Sequence, residues 1–448
     1  MKKGFFSLLI LLSISASGQA KSDTNHGTGP SSKKEFDISW ISDQNVVGIN
    51  KEKGHATFIP YSSTNAMVRD NFYNSPWLLP SNANYLDLNG TWKFKWVAGT
   101  PQGPAPSEWQ HTDIDDSGWD EIKVPMSWEM AGKYNMPAYV NTDYPFHNEP
   151  PFARHGYEEH GVTDHNATGF YRRSFNLPAG WDKDRVFLHF NGAYSGIAVW
   201  VNGKFAGYSQ RSNNDAEFDI TKLVRKGENQ LAVRCYRWTD GSYLEGQDMW
   251  RMSGIHRDVY LKSVPKTFIR DHYIFTDNQS EDAASGRLNV VLDIDNRDKE
   301  KGVKTFCIAL KDNDGKTVAS SKQTVKLNGK DQTVALSTDV LKGLIPWNTE
   351  NPYLYNVNVS QLDKNGREEM VFNTKYGFRN IGYHNEPGKR YVTINGKRVF
   401  FKGANIHDTH PVFGRYVDVA TMKKDISLMK QANLNTMRTS HYPRDPKM

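Results

Sequence analysis

Residues 198–209 read AVWVNGKFAGYS. Two apolar runs meet at Asn202-Gly203, a pair that tolerates the positive φ angles a two-residue hairpin turn demands. A hairpin at this point commits the surrounding chain to an antiparallel sheet. Upstream, Trp92, Phe94 and Trp96 alternate with Lys93 and Lys95, the pattern of a strand with one buried and one wet face. Short strands and turns of this kind continue to about residue 265 and read as a β-sandwich.

Working outward, residues 267–376 keep a period of two, as in GRLNVVLDIDN (286–296) and YLYNVNVSQLD (353–363), with fewer aromatics and more Asp, Asn and Lys turns. A second, smaller sandwich of immunoglobulin type fits that length and spacing. In its KDNDGKTV turn, Asp312 and Asp314 resemble the start of a calcium loop, but the rest of that motif is missing. After residue 377 the pattern changes. RYVTINGKRVFFKGANIHD (390–408) is a hairpin through Asn395-Gly396 that runs into an apolar strand. DVATMKKDISLMKQANLN (418–435) is helical, with Asp418 as N-cap and Met422, Ile426 and Met429 on one face. TMRTSHYP (436–443) is the next strand. Strand, helix, strand is a βαβ unit, which calls for a parallel sheet. A closed barrel takes about 250 residues, so these roughly sixty are read as its beginning.

The whole chain has 448 residues, enough for several cores, and a net charge of +6 without a concentrated basic stripe, which argues against nucleic-acid binding. The opening MKKGFFSLLILLSISASGQAKS has the form of a secretory signal peptide over residues 1–20: Lys2 and Lys3, an apolar run, then small residues to Ala20. That run is too short for a membrane span, so an exported, periplasmic or extracellular protein is expected. Cys235 and Cys307 lie in separate strand-like segments and are expected as free thiols. The 12 Trp, 21 Tyr and 22 Phe either fill β cores or serve as flat platforms for sugar rings.

Three stretches carry candidate chemistry. WTDGSYLEGQDMWRMSGIHRDV (238–259) packs Asp240, Glu245 and Asp248 among Tyr243, Met249, Trp250 and Met252. Such acids bind sugar hydroxyls, ligate a cation, or cap backbone amides at a corner. YVNTDYPFHNEPPF (139–152) is a proline-stiffened loop with Asn141, Asp143, His147 and Asn148, suited to a hydroxyl-rich ligand or to a rigid surface turn. GANIHDTHPVFG (403–414) has His407 and His410 three apart; without a third ligand, zinc is a weak reading. His407 and His441 each follow an apolar strand, which places both at the C-terminal rim where barrel enzymes keep their sites. No glycine-rich phosphate loop, Gly-x-Ser-x-Gly elbow or cysteine cluster is present.

From about Trp40 onward the chain resembles the large bacterial β-galactosidases of glycoside hydrolase family 2. The resemblance rests on VGINKEKGHA, LNGTWKFKWV, VPMSWEM, YVNTDYPF, GYSQRSNNDAEFDIT, DGSYLEGQDMWRMSGIHRDV, PWNTENPYLY, KGANIHDTHPVFG and LMKQANLNTMRTSHYP. It implies a mainly β multidomain fold: an irregular segment over 21–85, a jelly-roll sugar-binding domain over 86–265, an immunoglobulin-like sandwich over 266–377, and the start of a (β/α)8 barrel over 378–448. It also implies that Asn141, Asp248, His407 and His441 contact the galactose of a β-galactoside. Asp248 would help hold sodium, and Asp240 and Gln210 would lie at a secondary magnesium site. The implied mechanism is retaining, with one glutamate as acid/base and one as nucleophile about 5 Å apart, beside a divalent cation, Mg or Ca. Neither glutamate nor the main divalent ligands match a position up to Met448. The expectation is therefore an N-terminal fragment, silent as a catalyst by itself, or alternatively a galactoside-binding module or a piece that complements a separate remainder.

Overall fold

The computed structural model describes residues 35–99, 108–141, 143–153 and 166–448; the expected signal peptide lies outside them. The Asn202-Gly203 hairpin forms as its sequence dictates, with φ of 51° and 75° at the two turn residues. Its strands, Gly196–Val201 and Lys204–Ser209, belong to a seven-stranded sheet that also holds Gly227–Tyr236, Thr168–Leu177, Gly90–Val97 and Asp120–Val124, with Gly48–Ile49 at one edge. A four-stranded sheet of Ala216–Asp219, Arg185–Phe190, Val259–Val264 and Tyr85–Asp87 faces it. Trp92, Phe94, Val199, Val233, Phe218 and Leu261 are among the side chains that fill the space between. Alternation buries one face of Gly90–Val97, whereas Arg185–Phe190, Gly196–Val201 and Val259–Val264 are buried on both faces.

The second sandwich pairs Phe268–Asn278, Ser285–Asp295 and Gln332–Ser337 against Thr317–Asn328, Lys301–Lys311, Tyr355–Leu362 and Glu368–Tyr376. Phe306, Leu310, Val357 and Phe372 lie in its core. The Asp312 carboxylate closes the turn there by accepting from the amides of Asp314 and Lys316, at 3.1 and 2.9 Å. Cys235 and Cys307 are both free.

The segment expected to be irregular over 21–85 carries two short helices in its described part, Thr64–Arg69 and Asn71–Asn74. Side-chain caps start them: Ser63 accepts from the Ala66 amide and Asp70 from the Phe72 amide. Helices this short have no room for a periodic apolar face, so tertiary contact forms them. Tyr61 and Met67 pack against Val371 of the second sandwich.

Beyond it, Lys389–Ile394 and Lys397–Val399 form the Asn395-Gly396 hairpin. Gly403–Ile406 and Thr436–Thr439 then pair in parallel, joined by the helix Val419–Gln431, whose N-cap Asp418 accepts from the Thr421 amide at 2.7 Å. Of the expected helix face, Met422 is buried, Met429 is half-buried and Ile426 is exposed, so the helix rests on its first turn. Among the described residues no helix is long and apolar enough to cross a membrane.

This βαβ unit is clamped to the first sandwich by charge. Asp408 is buried between Arg257, at 3.3 Å, and Arg444, at 2.6 Å. Lys447 pairs with the buried Asp258 beside it. At Gly414 a Cβ would lie 2.6 Å from the Ser127 Cβ, so only glycine permits the 407–415 loop to approach this closely. Replacing Asp408 by Ala leaves two guanidinium groups buried without their carboxylate; we expect a loss of about 3–5 kcal/mol, read as a lower denaturation midpoint for the chain.

Candidate sugar-binding site

The first half of the site is a two-stranded ladder, Ala138–Val140 against Met249–Arg251, with Val140 opposite Met249. One step further the same register brings Asn141 opposite Asp248. Both are exposed. The alternate residues Ala138, Val140, Met249 and Arg251 are buried beneath, and Arg251 donates to the Val140 carbonyl at 3.0 Å. The Tyr139 hydroxyl donates to Asp248 at 2.5 Å. The following loop is pinned from inside, where Tyr243 donates to the Phe152 carbonyl at 2.8 Å and accepts from the Glu149 amide at 2.9 Å.

The three acids of residues 238–259 have three different fates. Asp248 faces solvent. Glu245 accepts from both the amide and the hydroxyl of Ser212, at 3.0 and 2.5 Å, which makes it the corner cap. Asp240 lies against Gln210; burial pushes its carboxyl above the ordinary range, and its Oδ1 is buried without a hydrogen-bond partner. Gln210 donates to the Trp40 and Val46 carbonyls at 3.0 and 3.2 Å.

The second half comes from the parallel pair. His407 follows Ile406 directly and His441 lies two residues after Thr439, so both stand at the C-terminal ends of their strands. Their rings meet edge to face with centroids 5.8 Å apart. The Asp408 amide donates to the Tyr442 hydroxyl at 2.9 Å, and that hydroxyl reaches the His407 Nδ1 at 3.3 Å. His410 does something else: its Nδ1 accepts from the amides of Val412 and Phe413, at 3.1 and 3.3 Å, and so it folds the loop.

Burial, His441 and Arg415 push the His407 pKa down, against an opposing pull from Asp248 and Asp408. The ladder end carries Asn141 and Asp248, and the strand ends carry His407 and His441. Arg415 bridges them, donating to Asn213 at 3.1 Å and reaching the Met249 sulfur at 3.3 Å, with its guanidinium over Tyr194 and Tyr442. Arg415 and Tyr139 were not singled out by the sequence; only their nearness to the motif residues hinted at them.

Two β-sandwiches that lead into a βα-barrel unit, with polar side chains gathered where the first sandwich meets the strand ends, are the parts of a modular barrel glycosidase. The family descriptions agree along the chain: the sugar binding domain of glycosyl hydrolases family 2 matches residues 85–265, the domain described as glycosyl hydrolases family 2 matches 267–379, and the family's TIM barrel domain matches 388–448. The chain belongs to glycoside hydrolase family 2.

Among curated relatives, the β-galactosidase of Priestia megaterium is 37% identical over 415 residues, covering 91% of this chain and 38% of that protein. That of Halalkalibacterium halodurans is 34% identical over 415 residues, with 92% and 38% covered. The chain thus spans under two-fifths of the length of these relatives. Among solved structures, a family 2 member from Bacteroides cellulosilyticus matches with a TM-score of 0.64 at 25% identity, covering 81% of this chain and 45% of that one. A β-glucuronidase from Bacteroides uniformis matches with a TM-score of 0.67 at 23% identity, covering 81% and 40%, a likeness of fold.

Because its folded pKa lies below its unfolded value, His407 contributes stability above the unfolded pKa that is lost as pH falls through the folded one. In an NMR titration its ring is expected to protonate at lower pH than an exposed histidine, and Arg415→Met is expected to move that midpoint upward.

Proposed function

We propose that this chain supplies the galactose-binding half of an exported, retaining β-galactosidase. The observation that carries the reading is the contact of Arg415 with both Met249, beside Asp248, and Tyr442, beside His441, which supports a meeting of Asn141 and Asp248 with His407 and His441. The β-galactosidase names of relatives at 34–37% identity support the choice of sugar. Asn141 offers a donor and an acceptor, Asp248 accepts from sugar hydroxyls, and the histidines donate from the rim.

Cations fit the same frame. The Asp248 carboxylate has Oδ1 engaged by the Tyr139 hydroxyl, and its second oxygen would meet a sodium ion. Among the described residues no group of three or more His, Cys, Asp or Glu could hold a metal. Asp240 and Gln210 would therefore hold magnesium with main-chain oxygens, and the buried, unpartnered Asp240 Oδ1 suits that role. Such an ion would supply fixed positive charge to a carboxylate that burial disfavours.

Retaining hydrolysis needs two carboxylates about 5 Å apart. Glu245 is committed to Ser212 and Asp408 to its arginines, and Glu149 stands on the sandwich loop. The isolated chain is therefore expected to release no nitrophenol from nitrophenyl β-galactoside above a protein-free control; detectable turnover would sink that part of the proposal. Galactose binding is expected no tighter than about 1 mM, weakened about tenfold or more by Asp248→Ala, in ligand-observed NMR.

A second reading, pairing with a separately made remainder of the enzyme, draws on the exposed Phe400, Phe401, Ile426 and Leu428. Activity that appears only on mixing the two parts would favour it.

A further inference from the structure

A cavity of about 400 Å³ opens where three parts of the chain meet. Asn84 of the N-terminal segment, Ala179, Trp181, Asp184 and Pro265 of the first sandwich and Glu369 of the second line it. It is remote from the rim. The strand Val259–Val264 runs from Asp258, which Lys447 holds at the clamp, to Pro265 at the cavity, an advance of about 20 Å. The chain itself ties the walls together. Ser263 donates from its hydroxyl to Asp184 at 2.9 Å and from its amide to the Asn84 carbonyl at 3.1 Å. Tyr61 and Val371 exchange main-chain hydrogen bonds of 2.8 and 2.9 Å two residues from Glu369, which fixes the second sandwich against the N-terminal segment. The polar groups of the lining are half used. Asp184 accepts from Ser263 through Oδ2, and Glu369 accepts through Oε2 from Lys304 and Gln361, at 2.7 and 3.1 Å. Among the described residues, Asp184 Oδ1, Glu369 Oε1 and the Asn84 side-chain amide have no hydrogen-bond partner.

We propose that this cavity is a non-catalytic binding site for one uncharged pyranose of a glycan, separate from the rim and independent of which sugar the rim holds. Two free carboxylate oxygens accept from sugar hydroxyls, and the amide both donates and accepts. Trp181 and Pro265 give an apolar wall for the C–H groups of the ring. The volume falls within the range of small-molecule sites, about 300–1,000 Å³, and such sites favour the junctions between domains. Carboxylates in the lining disfavour an anionic ligand. Lys304 already answers the charge of Glu369, and among the described residues no group of three or more His, Cys, Asp or Glu could hold a metal. A neutral polyhydroxyl ligand therefore fits better than a cation. Trp181, Asp184 and Pro265 also fall within residues 85–265, which match the family's sugar binding domain.

The test is saturation-transfer NMR on the 448-residue chain carrying Asp248→Ala, which weakens the rim, with thermal melts to confirm that each variant is folded. The probes are methyl β-galactoside, methyl β-glucoside and methyl α-mannoside. At least one is expected to bind with a Kd on the order of 10 mM. Adding Ala179→Trp, which fills the cavity from its lining, is expected to abolish that signal. Asn84→Ala, which removes no hydrogen bond within the protein, is expected to weaken it about threefold, and it decides the matter if Ala179→Trp does not fold. Glucuronate is expected to bind more weakly than the neutral probes. No signal from any of the three, a signal that a folded Ala179→Trp or Asn84→Ala variant leaves unchanged, or glucuronate bound as tightly as the neutral probes overturns the site. With Asp248 intact, Ala179→Trp is expected to leave the rim's share of galactoside binding in place, so the failure of one site is read apart from the failure of the other.

Discussion

The position of the whole site depends on one buried carboxylate. Asp408 follows His407 directly and lies between Arg257 of the first sandwich and Arg444 beyond the second parallel strand. Arg257 also donates to the Pro443 carbonyl at 2.7 Å, two residues after His441. One sandwich arginine therefore holds the chain just after each rim histidine. Charges buried this deeply cost more in desolvation than they return unless every partner is present. The arrangement therefore tolerates little drift of the strand ends against the ladder that presents Asn141 and Asp248.

The sandwiches were legible in the sequence because their signals are local. Asn202-Gly203 and Asn395-Gly396 each specify a turn without reference to the rest of the chain, and the alternation of Trp92, Phe94 and the intervening lysines specifies a face. The βαβ unit was legible for the same reason, since Asp418 and the spacing after it mark a helix start. The helices at 64–74 were not. They are too short for periodicity, and the contacts that form them, such as Tyr61 with Val371, span some three hundred positions.

The candidate site was legible in its residues and not in its wiring. Asp240, Glu245 and Asp248 look equivalent within nine positions of sequence, yet the fold places them differently: Glu245 caps an amide, Asp240 lies beside Gln210 with its Oδ1 buried, and Asp248 faces solvent. What separates them is the chain each meets: Ser212, Gln210 with the main chain near Trp40, and Tyr139. None of those partners is close in sequence. His407 and His410 divide in the same way, since the amides of Val412 and Phe413 take the second imidazole and Tyr442 takes the first.

The electrostatics of the pocket follow from that wiring. Arg415 is buried beside the rim and opposes protonation of His407, as do His441 and burial itself. The Tyr442 hydroxyl engages Nδ1, and the neutral ring carries one N–H. Facing it, Asp248 presents acceptors. A cleft that offers a neutral donor on one wall and an anionic acceptor on the other is matched by hydroxyls, each of which can donate and accept at once. Under the proposed function, the pairing suits an uncharged polyol.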